Sequence, residues 1–290
     1  MLVLIINQTE KMKKTLLLLL LGCNSFGQTV LEALEGETWN NAKCANKTIS
    51  QTPCSQVTGA TLNDDLTTSL GKEYDWNGAN GNIVGGTSRA LIEIGNQCWF
   101  KRNAENLPSN FNPSPNWDYD ISDIDVGWSG YYQGGPFLNE GRLYQWSAVM
   151  NGTTYERSQG VCPTGWHVPS DCEWQFLENT LGMNLGDQQF EGLSLIGRQT
   201  GNVGSKLSSF ASAGINSSGF SALLTGFNTT EDTFQNRGAT SDFWTSTRDT
   251  YLMPMPGLAH YARNIYNGNI GVRRYRFNAK YAMAVRCLKD

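Results

Sequence analysis

CPTGWHVPSDCEW (Cys162–Trp174) is the stretch on which the reading of the whole chain turns. Pro169 stands just before Ser170. Ser170 and Glu173 then stand at the capping-box spacing S-x-x-E, in which each side chain satisfies a backbone N–H that the first helical turn leaves free. Asp171 and Glu173 add negative charge at that positive helix end. Trp174, Leu177 and Leu181 follow as one apolar face, and Gly182 ends it. The spacing predicts a sharply started amphipathic helix.

Upstream, Leu143, Trp146 and Met150 share a helical face, which predicts a helix over Gly141–Met150. Residues 106–137 read as a long loop with four prolines, ordered by Trp117, Tyr119, Trp128, Tyr131 and Tyr132. Before it, Ala90–Ile94 and Gln97–Phe100 read as strands around Gly95-Asn96. Downstream, Phe220–Gly226, Asp242–Thr247, His260–Tyr266, Gly271–Phe277 and Tyr281–Leu288 are short β-type runs punctuated by Gly, Asn, Asp and Pro. The class is α+β: few helices and many short antiparallel strands, with no internal repeat. The domain runs over residues 91–290. Residues 28–90 form a polar extension with weak strand signals, ending in the loop Asn77–Thr87.

At 290 residues, 39% hydrophobic, with nine Trp, the chain has ample material for a core. Two histidines, His167 and His260, argue against His-rich metal sites, and a net charge of −4 argues against polyanion binding, nucleic acid included. The average conceals an asymmetry. Arg248–Asp290 holds eight basic residues against two acidic, on an otherwise acidic body.

Lys13 and Lys14 precede the run Leu16–Leu21, far short of the roughly 20 residues that span a bilayer. A basic region, a short apolar region and small residues after it read as a signal peptide over residues 1–27, with Met12 as the true start. Two processing routes stand: cleavage after Ser25-Phe26-Gly27, or a lipobox at Leu20-Leu21-Gly22-Cys23 that leaves a lipid on Cys23 as the sole membrane attachment. Export favours disulfides among Cys44, Cys54, Cys98, Cys162, Cys172 and Cys287, although six cysteines permit many pairings. The expected set is Cys44–Cys54, Cys98–Cys172 and Cys162–Cys287, the last tying the middle of the chain to its final strand.

The motifs occur in a recognisable order. IGNQCWF (Ile94–Phe100) with Glu105-Asn106-Leu107, GRLYQW (Gly141–Trp146), CPTGWHVPSDCEW, GFSALLTG (Gly219–Gly226), FWTST (Phe243–Thr247) and VRCLKD (Val285–Asp290) resemble the Fibrobacter succinogenes major paralogous domain of exported Bacteroidetes-type proteins. A weaker similarity, through His167-Val168-Pro169-Ser170 and Glu173-Trp174, links the chain to formylglycine-generating-enzyme-like domains. The resemblance implies a C-type lectin-like fold and a bacterial protein that is secreted or held at the outer-membrane surface. Lys101–Asn106 and Arg248–Leu258 depart from the family pattern.

Function is expected to be recognition rather than catalysis. Tyr261, Arg263, Tyr266, Asn267, Arg274, Tyr275 and Arg276 lie on two adjacent strands that also carry Asn269 and Arg273. Tyr and Arg there supply stacking area and forked hydrogen bonding. With Arg248 and Tyr251, and with Trp117, Trp128 and Tyr132 of the long loop, they form the candidate ligand set, for a glycan or a cell-surface protein. Asp118, Asp120, Asp123 and Asp125 are candidate Ca2+ ligands, and otherwise a solvated acidic loop. No other cofactor is expected. The alternatives are a structural or adhesin-tip component of a surface assembly, and a glycan- or peptide-acting enzyme using acids such as Glu140, Glu173 or Glu178.

Overall fold

The computed structural model describes residues 41–76, 89–109, 127–135, 140–192, 197–210, 214–249 and 259–290. Residues 41–46 belong to a separate short unit, a turn in which the Lys43 N–H donates to Asn41 Oδ1 at 3.1 Å. Everything from Lys47 onward belongs to the second unit. The signal-peptide region, the loop Asn77–Thr87, Trp117, the four Asp candidates for calcium and Tyr251 all lie outside the described residues.

The second unit is built from short antiparallel strands and four short helices among the described residues, which is the α+β class read from the sequence. Its first sheet has six strands: β1 (Ala60–Leu62), β2 (Lys72–Trp76), β3 (Arg89–Ile94), β4 (Gln97–Phe100), β7 (Trp166–His167) and β14 (Leu288–Lys289), in the order β1-β2-β3-β4-β14-β7. The final strand thus sits between β4 and β7, with Leu288 opposite both Trp99 and His167. Cys162–Cys287 closes beside it, as expected from the sequence. The other two expected bridges do not form. Cys54 bonds Cys98, because β1 and β2 join the sheet and bring the turn at Cys54–Gln56 onto β4. Cys44 and Cys172 are also disulfide-bonded, each without the partner expected. Residues 47–76, read as part of a polar extension, therefore pack into the body, through pairing that their weak strand propensity does not signal.

A second sheet joins β5 (Ser129–Gly130), β6 (Leu143–Gln145), β8 (Phe227–Asn228), β9 (Phe234–Gln235) and β13 (Ala282–Met283) in the order β5-β6-β13-β8-β9. The third is β10 (Thr240–Arg248), β11 (Ala259–Tyr266) and β12 (Arg273–Asn278).

The helix predicted over Gly141–Met150 is half strand. Leu143–Gln145 pairs with β13, and only Trp146–Met150 (α1) is helical. An apolar spacing of three and four fits either state over so short a run, and pairing partners decide. The run Phe220–Gly226 forms no strand; its Phe220 packs edge-on against Trp99 and Trp174. Helix α2 (Asp171–Thr180) starts as predicted, with both halves of the capping box formed between Ser170 and Glu173. Its Trp174 and Leu177 are fully buried against Trp99, Phe220 and Phe243. Two shorter helices follow, α3 (Leu185–Gln189) and α4 (Val203–Leu207).

Candidate ligand-binding cleft

Side chains alternate across a strand, so register sorts the third sheet into two faces. Tyr261 lies opposite Arg276 and Arg263 opposite Arg274, with Phe243 beside Arg263. The other parity carries Asp242, Asn264 and Arg273 in one row, Ala262 beside Tyr275, and Thr240 beside Tyr266.

The first face is covered by α2. Arg263 donates from Nη1 to Asp171 Oδ1 at 2.6 Å and from Nε to Glu178 Oε1 at 2.7 Å. Arg274 grips the same Asp171 from Nε at 2.8 Å and from Nη2 at 2.7 Å. Arg198 pairs with Glu178, and at the rim Arg276 pairs with Glu191 and Asp249. Burial alone would raise the Asp171 carboxyl, but the Arg263 and Arg274 guanidiniums outweigh it and hold the group well below its ordinary value. Arg263 and Arg274, expected on a ligand surface, are instead 0% and 4% exposed. The capping box supplies the reason. It leaves Asp171 at the start of a buried helix, and the acid needs cationic partners there. Tyr261 is half-buried under Arg274, whose guanidinium lies 4.1 Å from its ring centre.

The opposite face opens into a cleft of about 430 Å3 between β11, β12 and the β8–β9 hairpin. Phe227, Tyr266, Tyr275, Phe277 and Tyr281 supply its aromatic walls, and Thr229, Gln235 and Asn236 part of its lip. Gly226 shapes that lip. Its φ is 64°, and a Cβ would sit 2.2 Å from the Gln235 carbonyl oxygen.

Asp242 lies buried beneath the cleft. It accepts from the Thr240 hydroxyl, from Asn264 Nδ2 at 2.8 Å and from the Tyr275 hydroxyl at 3.3 Å. Burial pushes its carboxyl up to about 6, against the pull of these hydrogen bonds. Burial likewise holds the Tyr275 hydroxyl well above its ordinary value, with the neighbouring Asp242 adding to the rise. Asn264 is 2% exposed; with its amide N–H committed to Asp242, its Oδ1 has no hydrogen-bond partner among the described residues. Arg273 lies 5.1 Å over the Tyr266 ring, and its buried Nε likewise has no partner among them.

Of the expected ligand set, Tyr266 and Tyr275 line this cleft. Asn267 and Arg276 are exposed elsewhere on the hairpin, and Arg248 is half-buried at the end of β10. Trp128 is 8% exposed and packs on Phe234, as does Tyr132, so both anchor their loop to β9. The sequence places Arg273 on the hairpin without assigning it to the ligand, and it does not reach Asn264, Phe227, Phe277 or Tyr281. The signal available for the first two was the strand parity opposite to Arg263 and Arg274.

The acids considered for catalysis do not converge. Glu173 receives hydrogen bonds from Arg157 and Ser170 and faces His167, Glu178 holds Arg198 and Arg263, and Glu140 pairs with Arg237. Among the described residues no group of three His, Cys, Asp or Glu is placed to hold a metal ion.

A disulfide-braced α+β domain of short antiparallel strands, with an aromatic cleft over a polar floor, is the class these features define. The Fibrobacter succinogenes major domain matches residues 92–289, well over half of the chain, and the chain belongs to that family. Comparison with curated proteins returned no match, nor did comparison with solved structures. Family membership and the disulfides mark an exported protein.

Proposed function

We propose that the chain is a non-enzymatic binding module of C-type lectin-like type, secreted or held at the outer-membrane surface, with a glycan as its ligand. The observation that carries this reading is the cleft: aromatic rings surround a floor where a buried amide oxygen and a buried guanidinium nitrogen lack partners among the described residues. Sugar rings present C–H faces that stack on aromatic side chains and hydroxyls that both donate and accept, so they match such a surface. A buried polar atom without a partner costs about 1–3 kcal/mol, and a ligand that satisfies it recovers much of that.

The test is a glycan array followed by titration calorimetry on the exported chain. Saturable binding, weakened by Tyr266→Ala and by Tyr281→Ala, is the expected result. Binding to no saccharide, or binding indifferent to both substitutions, overturns the reading; capture of a cell-surface protein alone would replace the glycan by a protein ligand.

A further inference from the structure

The hairpin β11–β12 carries four arginines, and three of them are neutralised. Arg263 is held by Asp171 and Glu178, Arg274 by Asp171 and Glu191, and Arg276 by Glu191 and Asp249. The Arg273 side chain makes no ion pair or hydrogen bond with any described residue, and its guanidinium lies over Tyr266 on the wall of the cleft. Beside it, in register on β11, Asn264 lines the same cleft, and its buried Oδ1 has no hydrogen-bond partner among the described residues. We infer that the cleft selects an acidic saccharide residue, whose carboxylate is held by Arg273 and one of whose hydroxyl or amide groups donates to Asn264 Oδ1. This rests on the reading of the cleft as a glycan seat and names the class of glycan.

The chemistry is complementary at each point. A guanidinium offers parallel donors that fit a carboxylate, and these charge-assisted bonds are about twice as strong as neutral ones. Asn264 Oδ1 can only accept, and the bond from Nδ2 to Asp242 fixes which way the amide lies. The ligand must therefore bring a donor there and an anion at Arg273, which a uronic or sialic acid does on one ring. Three other titratable or charged groups face Arg273. Asp242 and Tyr275 lie close enough to interact with it electrostatically, and the exposed Glu231 stands at the lip of the β8–β9 hairpin. Neither acid pairs with Arg273 directly; Asp242 has three hydroxyl and amide donors of its own. An acidic peptide would also meet the cation, but would leave the ring walls of Phe227, Phe277 and Tyr281 without a flat partner.

The experiment titrates the exported chain with matched pairs: methyl glucuronide against methyl glucoside, and methyl galacturonide against methyl galactoside. N-acetylneuraminic acid and an acetylated hexaglutamate are added as separate arms. In at least one pair the acidic member is expected to bind roughly 10- to 100-fold tighter than the neutral one, as a charged hydrogen bond implies. The preference should shrink in about 1 M salt, where exposed charges are screened. It should vanish in Arg273→Gln and survive in part in Arg273→Lys. Equal binding of both members by the native chain overturns the inference and leaves the glycan reading standing. A preference undiminished in a folded Arg273→Gln, or binding of hexaglutamate alone, also overturns it. Binding of no saccharide at all removes both. If Arg273→Gln does not fold, Arg273→Lys and the salt dependence of the native chain decide.

Discussion

Asp242 ties the cleft to the stability of the body, and Asp242→Asn isolates its ionisation. The carboxyl ordinarily titrates at 3.8, and burial pushes it up to about 6 in the folded chain. Below about pH 4 the group is neutral in both states and contributes no pH dependence. Between about pH 4 and about pH 6 the folded chain keeps a proton that the unfolded chain has lost, so stability falls as pH rises through that window. Above it the whole loss is present. At 1.36 kcal/mol per tenfold change in proton affinity, the gap between 3.8 and about 6 corresponds to roughly 3 kcal/mol. In Asp242→Asn the mismatch with one of the three donors is a constant offset, while the pH-dependent part disappears. Urea unfolding of both proteins at intervals from about pH 3.5 to about pH 8 therefore gives a difference that changes in the asparagine variant's favour by roughly 3 kcal/mol as pH rises. Other carboxylates are common to the two proteins and cancel. A difference that stays level with pH, or one that moves in the native chain's favour, would refute the account of an acid whose proton is held by burial.

Four further outcomes follow from the same geometry. Asp171→Asn removes the shared partner of two buried arginines and should cost about 3–5 kcal/mol in denaturant unfolding. Because that carboxyl is held low, its contribution is present above 3.8 and is lost as pH falls further, opposite in sign to Asp242. Replacing Cys162 and Cys287 together by Ala opens a loop of sequence separation 125 and should destabilise by roughly 4–5 kcal/mol, read from the urea midpoint under oxidising conditions. Tyr266→Ala, at a residue 38% exposed, should change stability by less than about 1 kcal/mol while weakening glycan binding, a separation that unfolding and calorimetry measure together. Arg274→Ala, by contrast, should register first as lost stability, since Asp171 loses a buried partner.

Local signals in the chain proved readable where a few neighbouring residues suffice. The capping box at Ser170–Glu173, the apolar face of α2, the turn at Gly95-Asn96 between two strands and the runs that became β10, β11 and β12 each depend on contacts within a short span. Reading failed where the partner was remote. Leu143–Gln145 is a strand because β13 lies beside it, more than a hundred residues later in the chain. Cys54 chose Cys98 over its sequence neighbour because β1 and β2 extend the first sheet. Trp128, a candidate ligand contact by sequence, is a loop anchor, since Phe234 lies against it.

From residue order alone came the α+β class, the family, the export reading and the Cys162–Cys287 bridge, all matters of composition, local geometry and recognisable motifs. Which arginines meet a ligand was a tertiary matter. Arg273 and Arg274 are adjacent in the chain and alike in chemistry, yet the pleat sends one to the cleft and the other onto Asp171 beneath α2. The alternation was visible in advance, but its sense was not, because only the packing of α2 against one face of the sheet determines which parity is buried and which opens onto the cleft.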